Sequence, residues 1–334
     1  ADYNTAVGKS ALLANTTGTE NTCVGALAHD ANTTGSYNVA LGMSALGANT
    51  TGGQNVAIGW EAYAVDTDGS YTTAVGFKAL RNTTVAGTTA VGWCAGESLT
   101  TGGMTTAIGK QALRYGTTAN QNTAVGEQAM EGVSGSSTGS YNVAMGLRAL
   151  EGFTTGDHNT GIGYYALQSL TTGANNVALG AYALDANTTA SNNTGIGYNA
   201  LTDCSTGANN TAVGQQALKA NTTASANVAV GYYALYANTT GTQNVAVGYQ
   251  ALDANTTASY NVAVGREALT TNTTGANNTA VGTNSLLLNT TGASNVAIGY
   301  QALDANTTAD DNTALGHQAL TANTTGTQNT AVGQ

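Results

Sequence analysis

The 334 residues include 8 Lys+Arg and 18 Asp+Glu, giving a net charge of −10 in a chain only 8% charged. The scattered cations leave no basic stripe for nucleic acid, so a nucleic-acid partner is not expected. No run of eighteen apolar residues occurs, which argues against a membrane-spanning helix, and the absence of proline suits a backbone that donates hydrogen bonds throughout.

From Asn4 onward the chain repeats one line, Asn-(Thr/Val)-Ala-Val-Gly-x-x-Ala-Leu-x-Ala-Asn-Thr-Thr-Gly-x-x. Its glycine returns every 17 residues at Gly8, Gly25, Gly42, Gly59 and Gly76. The interval to Gly92 is one residue short, and after Gly109 and Gly126 the interval to Gly146 is three residues long. From Gly146 to Gly333 the 17-residue spacing is unbroken. A period this strict, too short for a helix pair, predicts a stack of equivalent coils. Residues 1–334 therefore read as a single uninterrupted array with a deletion within 76–92 and an insertion within 126–146. Its twenty coils at about 4.8 Å spacing predict a length of roughly 95 Å.

Within each coil the run before the glycine, such as Asn227-Val228-Ala229-Val230, has strand character. The Ala-Leu pair after it, such as Ala234-Leu235, reads as a second short strand, with Asn-Thr-Thr-Gly as a turn. No window has an apolar period near 3.6, so the expectation is an all-β parallel β-solenoid, or β-roll. Positions are counted from the repeat glycine. The −1 residue is always Val, Ile, Leu or Met (Val24, Leu41, Ile58, Met145), +3 is Ala in 18 of 19 coils, and +4 is Leu in 15 of 19. These columns are expected inside, and +1, +2 and +5 outside. The insertion around Gly132–Gly139 should bulge outward, leaving Met130 and Met145 in the core. With two large apolar residues per coil the core is thin, and the Ala columns predict close association with further chains. Both ends are strand text without caps, so the chain is expected to continue or to be completed by a partner.

Chemistry is sparse. His29, His158 and His317 lie eight and nine coils apart, so no catalytic constellation forms and no enzyme is expected. Asp66 with Asp68, and Asp310 with Asp311, lack the further ligands of a calcium loop, so no metal or cofactor is expected. Cys23, Cys94 and Cys204 are too many coils apart for intrachain disulfides. Asn-Thr-Thr starts at Asn15, Asn32, Asn49, Asn82, Asn187, Asn221, Asn238, Asn255, Asn272, Asn289, Asn306 and Asn323. These sites read either as glycosylation sequons or as a side-chain ladder between coils, the ladder being favoured. A Thr column also permits ice binding, although adjacent threonines should point to opposite sides. Trp60, Phe77 and Trp93 follow the glycine in three successive coils and are candidates for stacking on one another, on a partner or on glycans.

The phrase Asn-Thr-Ala-Val-Gly-x-x-Ala-Leu, at Asn4–Leu12 and Asn210–Leu218, resembles head repeats of trimeric autotransporter adhesins. Val245–Leu252 (Val-Ala-Val-Gly-Tyr-Gln-Ala-Leu) resembles the repeats of phage tail-fibre-like proteins more closely still. The resemblance spans the chain and implies a left-handed β-roll assembled as a parallel homotrimer in an extracellular fibre that binds surfaces. The expectation is thus a structural, adhesive fibre shaft that self-associates and contacts cell-surface glycans. The alternatives are a self-polymerising extracellular filament and a solenoid that binds glycan or ice.

Overall fold

The computed structural model describes residues 2–334, which divide into two compact units, 2–172 and 173–334. Ten three-residue strands build the first, from β1 (Thr5–Val7) to β10 (Thr160–Ile162), and ten build the second, from β11 (Val177–Leu179) to β20 (Thr330–Val332). No residue among those described is helical. In each unit successive strands pair in parallel, each with the strand one repeat later, as in Thr22↔Val39 and Val228↔Val245. The fold is a parallel β-solenoid, as its period requires.

Each coil contains one strand, not the expected two. The Ala-Leu pair lies in a turn because the backbone there repeatedly enters the left-handed region, with φ of 57° at Tyr233 (+2) and 55° at Leu235 (+4). A third such residue occurs at +12, as in Tyr260 with φ 63°. Left-handed conformations cost a side-chain-bearing residue roughly 1–2 kcal/mol. At +4 that cost is offset because Leu235, like Leu46 and Leu80, is wholly buried. The turns still feed the ladder between coils: Leu12 N–H donates to Ala28 O at 3.0 Å and Leu27 N–H to Lys9 O at 2.9 Å.

The core differs from expectation in one column. Strand centres such as Ala40, Ala57 and Ala229 are fully buried, as are Ala234 and Leu235, whereas Val230 is 36%, Leu41 45% and Met145 42% exposed. The −1 residues point outward because side chains alternate along a strand. With the central residue inward, its neighbour must face out. The interior dictates which of the two goes in. At the strand centres Gly161 and Gly195, an added Cβ would lie 2.8 Å from Leu150 Cδ1 and 3.3 Å from Leu184 Cδ1. The +4 Leu therefore packs across the coil onto the strand centre and leaves room only for a small residue. The Ala columns are core and present no face for another chain.

The repeat glycine is required sterically. Gly231 has φ +138°, and a Cβ on it would lie 2.3 Å from Gly248 O of the next coil.

Both length changes are absorbed outside the ladder. β5 (Thr73–Val75) pairs Thr73 with Thr89 of β6 (Thr89–Val91) across the short interval. β8 (Thr123–Val125) pairs Thr123 with Val143 of β9 (Val143–Met145) across the long one. The extra residues form an exposed turn closed by Ser136 N–H donating to Val133 O at 3.0 Å. Met130 is buried in the core, as expected, but Met145 is not.

Two asparagine columns complete the interior. At −4, where one Asn follows another, the backbone N–H bonds the Oδ1 of the Asn one coil earlier, as in Asn244 to Asn227 at 2.9 Å. At +7, the Asn side chains bond each other: Asn255 Nδ2 donates to Asn238 Oδ1 at 2.9 Å and Asn272 Nδ2 to Asn255 Oδ1 at 3.1 Å. Buried amides are retained in so thin a core because neighbouring rungs supply partners that water would otherwise provide.

Candidate functional site: exposed apolar and aromatic columns

The −1 side chains make a column of Val, Ile, Leu and Met that is buried in no coil of either unit. Beyond the glycine runs the +1 column, where Met43, Phe77, Trp93, Leu147 and Tyr164 are exposed in the first unit and Tyr198, Tyr232, Tyr249 and Tyr300 in the second. Together they give each unit an apolar margin larger than isolated surface hydrophobics would produce.

Trp60, Phe77 and Trp93 belong to this margin. Trp60 and Phe77 stack with centroids 4.9 Å apart, and Phe77 and Trp93 at 6.1 Å. Lys78 Nζ lies 5.1 Å from the Trp60 ring and the Arg114 guanidinium 5.7 Å from that of Trp93. Arg114 is held by Glu97 at 3.0 Å, and Arg81 pairs with Glu61 at 2.6 Å. A sugar stacks on a ring face, but Phe77 has both faces covered and shows solvent an edge. Of the three uses open to these rings, the geometry realises stacking on one another.

The sequon asparagines lie inside. Asn32, Asn49, Asn187, Asn221, Asn238, Asn255, Asn272, Asn289 and Asn306 are fully buried, and a sugar on any of them would displace a rung of the ladder. Asn15 and Asn323, in the first and last coils, are half-buried. Asn82 is also half-buried: the one-residue deletion shifts the register, and Thr83 takes the interior place, donating to Leu99 O at 3.0 Å. The following +8 threonines turn their hydroxyls onto the backbone of the next coil, as in Thr239 Oγ1 to Thr256 O at 3.0 Å.

The histidines and acids stay dispersed. His29 replaces Leu at +4 and is fully buried, its Nδ1 3.9 Å from Cys23 Sγ. Burial pushes its pKa down to about 4. His158 stacks on Tyr141 at 4.9 Å and His317 on Tyr300 at 5.3 Å. Asp66 is buried and accepts a hydrogen bond from the Tyr63 hydroxyl, while Asp310 Oδ1 accepts from Ala293 N–H at 2.7 Å. Among the described residues no three His, Cys, Asp or Glu gather as a metal would need, and no helix is long and apolar enough to cross a membrane. Cys23, Cys94 and Cys204 are free thiols, all buried, and burial pushes the pKa of Cys23 up to about 11.

Sequence reasoning missed the outward −1 column and the +12 column, where Tyr37, Tyr71, Met104, Tyr141 and Tyr260 are exposed. The tyrosines recurring at +12 were the signal available for the second. In comparisons with known proteins, the chain matches no family model and no curated protein.

Proposed function

We propose that the chain is a structural, adhesive element of an extracellular fibre, associating with further copies of itself along the −1 and +1 columns. The observation that carries this reading is the −1 column, an apolar side chain per coil left uncovered in both units. Covering a half-exposed Val or Ile contributes about 1 kcal/mol, and the gain is repeated at every coil. A column with a fixed axial period is matched along its length by a surface of the same period, which a second copy supplies. The resemblance to trimeric adhesin and tail-fibre repeats favours the parallel homotrimer among such assemblies, and an extracellular setting with it.

Sedimentation equilibrium tests the reading. The parent is expected to run as an oligomer, and a Val230→Asp, Val264→Asp double variant as a smaller species with an unchanged circular dichroism spectrum. A parent that stays monomeric at high concentration would refute it.

A further inference from the structure

A shallow cavity of about 300 Å³ opens beside the +12 column of the first unit, lined by Gly103, Met104, Asn120, Gln121, Ser140 and Tyr141. It exists because Gly103 has no side chain at +11, where neighbouring coils place Asn120 and Ser140. Tyr141 is 53% exposed and stacks on His158 of the next coil with an interplanar angle of 7°. Apart from Ser140 beside it, the residues that line the cavity with it come from the two preceding coils. The ring therefore has one covered face, toward His158, and one open face, toward the cavity. Gln121 leans away from the ring, its Nε2 lying 4.0 Å from Met104 Sδ. Neighbouring polar groups are already engaged: Asn120 Oδ1 accepts from Gly103 N–H at 2.9 Å, and Ser140 Oγ accepts from Asn120 N–H at 3.1 Å. Gln121 Nε2 is spent on the Met104 thioether, so the groups left for a ligand are one aromatic face and the Gln121 amide oxygen.

We propose that this cavity is a binding site for a single pyranose ring, its apolar face laid on Tyr141 and a hydroxyl donating to the Gln121 amide oxygen. A flat aromatic floor beside one amide suits a ring with an apolar face and a polar rim. Phe77, covered on one face by Trp60 and on the other by Trp93, does not form such a floor. The site lies on a different column from the self-association margin and stands whether or not the chains associate.

Saturation-transfer NMR with methyl β-D-glucopyranoside and methyl β-D-galactopyranoside, with cyclohexanol as the apolar control, tests the assignment. At least one pyranoside should bind the parent, and Tyr141→Asn should weaken it about tenfold through loss of the ring contact. Asn suits this position because Asn175, Asn192 and Asn209 occupy it in other coils with φ near 60°. Gly103→Leu fills the cavity and should abolish binding. A Cβ there makes only ordinary contacts, the nearest at 3.6 Å to Val85 Cγ2. Trp93→Ala should leave binding unchanged. The proposal fails if neither pyranoside binds, if both the Tyr141 and Gly103 variants bind like the parent, or if cyclohexanol competes as well as the sugars.

Discussion

Asp66 occupies the rung of the buried asparagine column that follows Asn49, and Asn49 Oδ1 lies buried without a well-formed hydrogen bond. From Asn238 to Asn306 each Asn Nδ2 of the column donates to the Oδ1 one coil earlier, as in Asn306 to Asn289 at 2.8 Å. A carboxyl group has no N–H to give, and Asn49 Nδ2 donates forward instead, to Gly69 O at 3.2 Å.

Asp66→Asn should therefore stabilise the first unit. Supplying a donor to a buried orphan is worth about 1–3 kcal/mol. Urea denaturation at neutral pH reads the change as a higher midpoint. A lower midpoint would mean that the Tyr63–Asp66 contact matters more than the ladder.

Val230→Asp and Ala229→Asp should differ sharply although they are adjacent. Val230 is 36% exposed, so its carboxylate stays solvated and the coil should lose no more than about 1 kcal/mol. Ala229 is fully buried against the Leu column, so Ala229→Asp puts an unpaired charge in the core and should prevent folding of that region. Circular dichroism melts of the two variants make the comparison, and equal losses would contradict the outward −1 column.

Gly231→Ala should cost 3 kcal/mol or more, as a rough estimate, because its Cβ meets the backbone of the next coil at 2.3 Å and backbone cannot yield as a side chain does. Gly135→Ala is the control. Its φ is +75° with nothing within 4 Å, so only the left-handed penalty of about 1 kcal/mol applies. Chemical denaturation separates the two, and similar midpoints would refute the close-approach account.

His29 should make the first unit acid-sensitive. Burial lowers its pKa from 6.5 to about 4, so between these values the unfolded chain binds a proton that the folded chain refuses. Stability is then complete above pH 6.5 and declines as pH falls toward 4, by about 3 kcal/mol in all. His29→Leu, which restores the usual +4 residue, should remove that slope. Asp185 and Asp253, pushed up to about 6 by burial, titrate with the opposite sign. The difference between parent and variant across pH 4–7 isolates the histidine, and parallel curves would show that it does not titrate as its burial implies.

The sequence by itself determined the period, the parallel stacking and the positions of both length changes. Seventeen-residue spacing allows only one register, and each coil can bury its Leu only beside the next. It also placed Leu and one Ala column inside, because exposed positions vary in residue type and these do not. What only the tertiary structure decided is the direction of the −1 column and the number of strands. A column that is always Val, Ile, Leu or Met is equally compatible with a core and with a uniform outer margin. The choice came from cross-section: Leu150 and Leu184 reach the strand centre, which must then be small, and alternation turns Ile162 and Ile196 outward. The buried fate of Asn238 and Asn255 likewise required the neighbouring coil, since an amide is hidden only where a rung above or below satisfies it.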